Sequence, residues 1–233
     1  MDSKPITSFA EFIRHTEAFD LVAHHLVFRG QPVQGNLLPG VARSNPSRNT
    51  TDVERTSLQE IRLLGASLLP SPRETALDLM VWAQHYGLKT RLLDWTTNPL
   101  AALWFACADR RPGDVFVYGL IAEGLLLDGS VYEQDPFDAA KTRVLRPRLN
   151  NPRVLAQNGW FTLHRFSRKS KRFVPLERNP ETNEYLYEYK IPNERRAEIL
   201  ISLDRHGVSA RTLLPDSDGL CTYLNWKLFN GQR

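Results

Sequence analysis

Apolar residues recur at helical spacing in several stretches of the chain, and polar capping residues mark where some of these stretches begin. The spacing and the flanking residues predict helices over residues 8–19, 53–69, 74–86, 98–110, 194–207 and 216–229. Ser8 and Asn98 occupy positions that favour N-caps, and Pro99 stands at a first helical position. Gly207 is expected to end the fifth helix, because glycine tolerates the left-handed backbone found at helix ends.

Shorter stretches are apolar throughout or alternate between apolar and polar residues, as β-strands do. They predict strands over residues 24–31, 88–95, 113–122, 159–166, 184–191 and 210–214. The stretch 113–122 is long and apolar enough for the interior of a sheet. Helices precede a mixture of strands and helices, so we predict an α+β fold in which N-terminal helices pack on a mixed, mainly antiparallel sheet.

The composition narrows the class of protein. The 233 residues are 42% hydrophobic and 24% charged, which suits a single domain over residues 1–233. No apolar run approaches the roughly 20 residues of a membrane span, and no basic start followed by an apolar block indicates a signal peptide. The only cysteines, Cys107 and Cys221, are far apart, which favours a reducing compartment without a zinc cluster. We therefore expect a cytoplasmic protein with no membrane segment and no metal site.

The charge is distributed unevenly. Residues 141–172 contain ten Lys or Arg and no Asp or Glu, so the rest of the chain carries −6 within a net charge of +4. A basic block of this kind suggests RNA or DNA as a partner, with stacking on Trp160, Phe161 and Phe166. The alternative is a solvated basic face beside core aromatics. The candidate nucleic-acid contacts are Arg153, Arg165, Arg168, Lys169, Lys171 and Arg172.

Two short segments combine polar side chains with strand ends. Arg29 closes a predicted strand and precedes Gly30, so its guanidinium could fork onto a phosphate or carboxylate. The alternative is an internal ion pair with Asp94, since a buried arginine needs a partner. Thr96 and Thr97 lead into the helix at Asn98. Their hydroxyls, together with the free amides at the start of the helix, would bind an anion. The alternative is that they serve only as part of the N-cap.

The stretches "LVFRGQ", "LLPGVAR", "QHYGLKTRLLDWTTNPLAALWFA", "NPRVLAQNGWFTLH" and "LLPDSDGL" together resemble the FRG domain, named for its Phe/Tyr-Arg-Gly motif. The resemblance extends over about residues 20–225. The role of this family in bacteria and phages is poorly defined, so the resemblance implies a fold more than an activity.

A weaker resemblance is to ADP-ribosyltransferases, which carry an arginine on the first strand and hydroxyl side chains where a later strand enters a helix. It implies that NAD is held by residues around these two elements, and that the fold is ADP-ribosyltransferase-like. The implied NAD-binding residues are Arg29, Gly30, Gln31, His85, Tyr86, Thr96 and Thr97. Arg91 and Asp94 would hold this corner in place through ion pairs.

Such enzymes also need a late catalytic carboxylate. The strand "ARTLLP" has none, which leaves Asp216, Asp218 or Glu188, and we favour Asp218 beside Gly219 as the partner of Arg29 in catalysis. The resemblance thus implies an NAD-dependent transferase, in the setting of a toxin or phage-defence effector, that modifies nucleic acid or protein. The alternative is a non-catalytic module that binds nucleic acid or protein. The transferase hypothesis requires Arg29 and Thr96 to share one pocket.

Overall fold

The computed structural model describes residues 3–20, 25–69, 71, 74–127, 134–148 and 151–230. Within these ranges the main sheet is mixed and mainly antiparallel, as predicted: β1 runs parallel to β9, and the other neighbours are antiparallel. The spatial order of its strands is β1 (Ser3–Pro5), β9 (Leu186–Ile191), β4 (Val115–Ile121), β2 (Leu26–Gln31), β3 (Leu92–Thr96), β6 (Gly159–Leu163) and β5 (Arg143–Leu145). A separate hairpin consists of β7 (Phe166–Ser167) and β8 (Arg172–Phe173).

Helices cover one face of the sheet. On β2, β4 and β9 an apolar cluster that includes Phe12, Phe28 and Leu203 joins the strands to three helices: α1 (Phe9–Asp20), α4 (Pro99–Cys107) and α6 (Arg196–Arg205). On β3, β5 and β6 a second cluster, with Leu58 and Leu79 among its members, joins the strands to α2 (Thr51–Leu64) and α3 (Ala76–His85). The fold is therefore α+β.

The opposite face of the sheet is covered by loops rather than long helices. Val27, Leu93, Trp95 and Tyr118 point to this side and pack with loop residues such as Leu37. Because side chains alternate along a strand, Arg29 also belongs to this loop-covered face, two positions after Val27.

The sheet is weakly joined in its middle. β2 pairs with β4 over six residue pairs and β3 pairs with β6 over five, whereas the register of β2 with β3 consists of Phe28 opposite Thr96. The sheet is thus a four-stranded half and a three-stranded half that meet at this pair.

The remaining helices are α5 (Pro152–Ala156), α7 (Ala210–Leu213) and α8 (Ser217–Asn225), and α8 continues into a π-helical turn over Trp226–Asn230. The predicted caps are confirmed. The Asn98 side chain accepts a hydrogen bond from the Leu100 amide at 3.0 Å, and Ser8 accepts one from Glu11 at 3.2 Å.

Two predicted strands differ from the structure. Residues 210–213 form α7 instead of a strand, because Thr212 Oγ1 accepts a hydrogen bond from the Ser209 amide at 3.0 Å and so closes a helical turn. The strand predicted from residue 88 begins at Leu92, since Thr90 uses its side chain to contact Gln84 before the pairing starts.

Candidate functional site

Phe28, Arg29 and Gly30 lie near the end of β2, and each meets a different part of the fold. Phe28 is buried beneath the helices that cover this half of the sheet. A Cβ atom at Gly30 would lie 1.9 Å from the Ala102 carbonyl oxygen and 2.6 Å from the Ala106 amide nitrogen. The backbone of α4 therefore rests on Gly30, which is the close approach of backbone that a glycine permits, and the helix leaves no space for a ligand at this position.

The Arg29 side chain bridges the two halves of the sheet. One terminal nitrogen donates to the Asp94 backbone carbonyl at 2.8 Å and lies 3.8 Å from the Asp94 carboxylate, while Nε donates to Gln31 at 3.3 Å. Burial lowers the pKa of the Arg29 guanidinium to about 10, and Asp94 opposes this shift, so the group is charged at neutral pH. The internal contact with Asp94, one of the two alternatives at the sequence level, is thus present.

Residues in register with Arg29 continue a polar row across the sheet. Arg29 stands opposite Tyr118, and Tyr118 stands opposite Glu188. The Tyr118 hydroxyl donates to Glu188 at 2.9 Å and accepts from the Gly35 amide at 2.6 Å, and Gln34 donates to Glu188 at 2.7 Å. Burial raises the pKa of the Tyr118 phenol above its usual range. The loop after β2 therefore covers this row and uses its hydrogen bonds.

The Gln31 side chain hydrogen-bonds to the loop after β2 and not to a ligand. Its side-chain amide donates to the carbonyls of Val33 at 2.9 Å and Gly35 at 2.6 Å, and its oxygen accepts the bond from Arg29. These contacts use its donors and acceptor within the fold.

Thr96 lies on the opposite face of the sheet from Arg29. Thr96 pairs with Phe28, so the two point to the helix-covered side, and Arg29, the next residue after Phe28, points away. The Thr96 hydroxyl donates to the Gln157 carbonyl at 2.6 Å and accepts from the Asn98 amide at 2.9 Å. The prediction that Arg29 and Thr96 share one pocket is therefore wrong, because the pleat of β2 separates them.

Thr97 is exposed and lines a different cleft of about 480 Å³ together with Phe28, Asn98 and Trp160. This cleft lies between α1 and the start of α4, on the helix-covered side. Thr97 and Arg29 are therefore not brought together either.

His85 and Tyr86 lie at the end of α3. Their rings contact each other at a centroid distance of 4.9 Å, and Tyr86 is largely exposed. Burial, followed by the positive charge of Arg153, lowers the pKa of His85. The neighbouring Gln84 donates to the Asp94 carboxylate at 2.8 Å. Within the described residues, Asp94 is thus held from both sides, by Gln84 and by Arg29.

Arg91 does not support the Arg29 corner. Its side chain is only 1% exposed and is bound by Glu54 of α2 at 2.9 and 3.2 Å and by Thr51 at 3.0 Å. It therefore ties α2 to the start of β3. The sequence contains no local signal for this pair, since Glu54 and Arg91 are 37 positions apart.

The three candidate carboxylates have separate surroundings. Asp216 caps α8 through the Gly219 amide at 2.9 Å and pairs with Arg153 Nε at 2.7 Å. Asp218 is exposed in the first turn of α8. Glu188 alone of the three lies in the row that contains Arg29, and the loop after β2 covers it. The preference for Asp218 gains no support from these contacts.

A scan against protein families matches the FRG domain over residues 24–114. This part of the chain is similar to the FRG domain. The match includes Phe28, Arg29 and Gly30 and ends before β4, so it covers less of the chain than the resemblance over residues 20–225. No curated protein and no solved structure matches the chain.

The basic block, residues 141–172, lies after the segment that matches the FRG domain, and the fold divides its side chains into paired and unpaired charges. Arg148 lies 3.2 Å from Asp78, Arg153 is bound to Asp216, and Arg165 lies 2.9 Å from Glu181. Four other side chains are exposed at the end of the β7–β8 hairpin and form no ion pair with the described residues. This group, which we call the basic tip, consists of Arg168, Lys169, Lys171 and Arg172.

Beside the basic tip lies a polar cleft of about 800 Å³, which we call the basic cleft. Its walls come from α2, the segment around residue 138 and the start of the hairpin. Arg55 pairs with Asp135 there and lies 3.7 Å from Asp138. The residues that carry its positive charge are Arg55, Arg91, Arg165, Arg168 and Lys169, those that carry its negative charge are Asp52 and Asp138, and its aromatic surface comes from Phe137 and Phe166. Neither Arg55 nor Phe137 was predicted from the sequence as a site residue, because the fold brings them to the cleft from segments that are distant along the chain.

The aromatic residues of the basic block lie in three places. Phe161 is buried in the core, and Trp160 lines the cleft beside Thr97, so neither is available at the basic tip. Phe166 lines the basic cleft, and its ring meets Phe173 edge-on at 5.4 Å. The stacking predicted for all three is therefore wrong for Phe161, which the sheet encloses.

Helix length and the grouping of side chains also bear on the type of site. None of the described helices has the length and apolar character needed to cross a membrane. Among the described residues, His, Cys, Asp and Glu side chains do not gather into a group of three or more that could hold a metal ion.

Proposed function

We propose that this protein is a non-catalytic module that binds nucleic acid, with the phosphate backbone lying along the basic tip. The observation that carries the proposal is the concentration of four exposed basic side chains, without acidic partners among the described residues, on one hairpin end. Side chains with no internal partner keep their full charge for a ligand, whereas paired ones must first give up a contact.

The contrast within the basic block supports this assignment. Arg148, Arg153 and Arg165 each lie beside a carboxylate of the chain's acidic remainder, so less of their charge is left for a phosphate backbone. Binding that depends on phosphate charge releases condensed counterions, so affinity should fall steeply with salt concentration. We therefore expect binding with weak sequence preference and a strong salt dependence.

Transfer of ADP-ribose from NAD has less support from the geometry. Arg29 and Thr96 point to opposite faces, Gly30 is packed against α4, and Glu188 is covered by hydrogen-bonded loop residues. Release of nicotinamide from NAD by the purified protein tests this reaction directly, and we expect no release above a blank. Measurable turnover that disappears in Glu188→Gln would restore the transferase hypothesis.

The proposed function is tested by replacing Arg168, Lys169, Lys171 and Arg172 together with serine. Titration of a fluorescent single-stranded oligonucleotide should show that affinity falls at least tenfold. The slope of log affinity against log salt should become shallower, by about one for each phosphate that the variant no longer neutralises. Thermal unfolding should be unchanged.

A control with the same reduction of charge replaces four exposed basic residues on other elements, namely Arg14, Lys89, Arg110 and Arg205. This control should bind like the parent. Equal weakening by both variants would show a diffuse charge effect, and absence of salt-sensitive binding in the parent would reject nucleic acid as the ligand and leave a protein partner.

A further inference from the structure

We propose that the basic cleft accepts the terminal phosphomonoester of the nucleic-acid strand, so that the module recognises strand ends. This inference rests on the proposed function, because the basic tip would bring the strand to the cleft. It adds a second binding site with a different ligand group, the end of the strand rather than its internal backbone.

The cleft has the size of a nucleotide site and a closed floor. Its volume of about 800 Å³ falls within the range of about 300–1,000 Å³ found for small-molecule pockets. Arg91, 1% exposed, forms part of the floor, and its guanidinium carbon lies 4.3 Å from the centre of the Phe137 ring. A strand that enters the cleft end-on would stop at this floor, which suits a terminal nucleotide or a free one.

Two partly exposed arginines line the cleft from different segments, Arg55 from α2 and Arg165 from the residues just before β7. Arg55 has 40% of its side chain exposed and is anchored by Asp135, and Arg165 has 35% exposed and is anchored by Glu181 at 2.9 Å. The bond to Glu181 uses one terminal nitrogen of Arg165, which leaves its other N–H groups as donors. The arginines are thus oriented by their carboxylates and retain donors for a ligand.

The ligand group follows from the charge and the number of donors. A phosphomonoester carries about −1.5 to −2 charges at neutral pH and three acceptor oxygens, whereas a backbone phosphodiester carries about −1. Arg55 and Arg165 on the walls, with Arg168 and Lys169 at the rim, suit the more highly charged group. Phe166 on the wall provides an aromatic surface for the terminal base.

The cleft also contains negative charge that the ligand must overcome. Asp52 and Asp138 line it, and Asp138 lies 3.7 Å from Arg55. The ligand phosphate therefore competes with Asp138 for the same guanidinium. Removing that carboxylate charge in Asp138→Asn should increase the preference for a phosphorylated end.

The test compares four forms of one ten-nucleotide strand: with a 5′-phosphate, with a 3′-phosphate, with hydroxyls at both ends, and circular. We expect one phosphorylated form to bind the parent protein about tenfold more tightly than the hydroxyl form, as additional charge-assisted hydrogen bonds would allow. The circular form should bind no better than the hydroxyl form.

The variants Arg55→Gln and Arg165→Gln should reduce this preference to less than about twofold, since each removes charge-assisted donors, and should leave binding of the hydroxyl form intact. Arg153→Gln is the matched control, because Arg153 is 33% exposed and paired with Asp216 but does not line the cleft. Arg165→Lys keeps the charge but removes the forked guanidinium, so it should reduce the preference for the phosphorylated form only in part. This variant also tests the site if a glutamine variant proves unstable.

Equal binding of all four strand forms by the parent would overturn this inference and leave the proposed function standing. Failure of every form to bind would reject the proposed function itself. Competition by AMP or inorganic phosphate at the same concentration as the phosphorylated strand would assign the cleft to a free nucleotide or phosphate and overturn recognition of strand ends.

Discussion

Two regions of this molecule place arginine in different surroundings. Arg29 is largely buried at the sheet, whereas Arg168 and its neighbours on the basic tip are exposed to solvent. Arg29 uses its donors on the Asp94 carbonyl and on Gln31, and only 14% of its side chain is exposed. Arg168 is exposed and forms no ion pair with the described residues. The comparison teaches that Arg29 uses its donors to stabilise the fold, whereas the exposed charges that remain open to a ligand lie outside the Phe-Arg-Gly segment.

The same distinction applies to the neighbours of each arginine. Around Arg29, Tyr118 and Glu188 are buried and their hydrogen bonds are used by the loop after β2. Around the basic tip, Lys169 and Arg172 extend from a four-residue turn into solvent. Substitutions in the first region should therefore change stability, and substitutions in the second should change binding.

The largest effect is expected at Gly30. Because a methyl group would lie 1.9 Å from the Ala102 carbonyl, Gly30→Ala should lower the free energy of unfolding by about 3 kcal/mol or prevent folding. Gly124→Ala is the control, since nothing lies within 4 Å of its added carbon. Urea unfolding of both variants measures the difference, and a stable Gly30→Ala protein would contradict the close contact with α4.

Arg29→Ala should lower the free energy of unfolding by about 1–3 kcal/mol, because it removes a side chain that is only 14% exposed together with its hydrogen bonds to the Asp94 carbonyl and Gln31. Arg29→Lys should recover only part of this stability, since an ammonium group cannot contact Asp94 and Gln31 in the same fork. At a temperature where the variant is folded, oligonucleotide binding should match the parent. A stable Arg29→Ala protein that no longer binds would instead make Arg29 a ligand residue.

A pH effect is expected from His164, which is buried near Arg29 and Arg91. Its Nε2 lies 3.0 Å from the Thr162 hydroxyl, and burial, followed by these two positive charges, lowers its pKa to about 3. The folded state thus holds the ring neutral, while the unfolded ring takes up a proton below about pH 6.5. Stability is therefore full above this pH and falls on acidification, by about 1.4 kcal/mol per pH unit between roughly pH 6 and pH 3 from this group alone.

Thermal unfolding of His164→Gln between pH 4 and pH 7 checks this expectation. The variant should show a shallower pH dependence than the parent, whatever its stability at neutral pH. His206→Gln, which changes an exposed histidine after α6, should keep the slope of the parent. If the stability of His164→Gln depended on pH as steeply as that of the parent, the loss of stability in acid would come from other groups.

The smallest change in stability is expected at the basic tip. Arg168→Ser or Lys169→Ser should alter the free energy of unfolding by less than about 0.5 kcal/mol, as exposed substitutions without partners usually do. Differential scanning calorimetry at low salt gives the most sensitive comparison. A clear drop in stability would mean that these charges pair with acidic residues of the chain, and it would weaken the contrast with Arg29.

The sequence predicted the elements better than their relative positions. Asn98 and Ser8 were identifiable because a cap depends on residues within one turn. The opposite orientations of Arg29 and Thr96 depend on the register between β2 and β3, which are about 65 positions apart, and a shift by one residue reverses every side chain.

For the basic tip and the basic cleft, too, contacts between residues that are distant in sequence could not be predicted. The excess of positive charge in residues 141–172 was visible in the sequence, but pairing of Arg153 with Asp216 and of Arg165 with Glu181 was not. Arg55 reaches the basic cleft from a helix about 110 positions before the hairpin. Distances in sequence therefore gave no reason to associate it with Arg165.

The single residue pair between β2 and β3 has a mechanical consequence. On the helix-covered face each half of the sheet has its own apolar cluster, while the cluster that contains Val27 and Trp95 spans both halves on the other face. Few backbone hydrogen bonds cross this line, so side chains carry most of the connection between the halves. Arg29 crosses the line, and its contacts with Asp94 stand in for the backbone pairing that is sparse there.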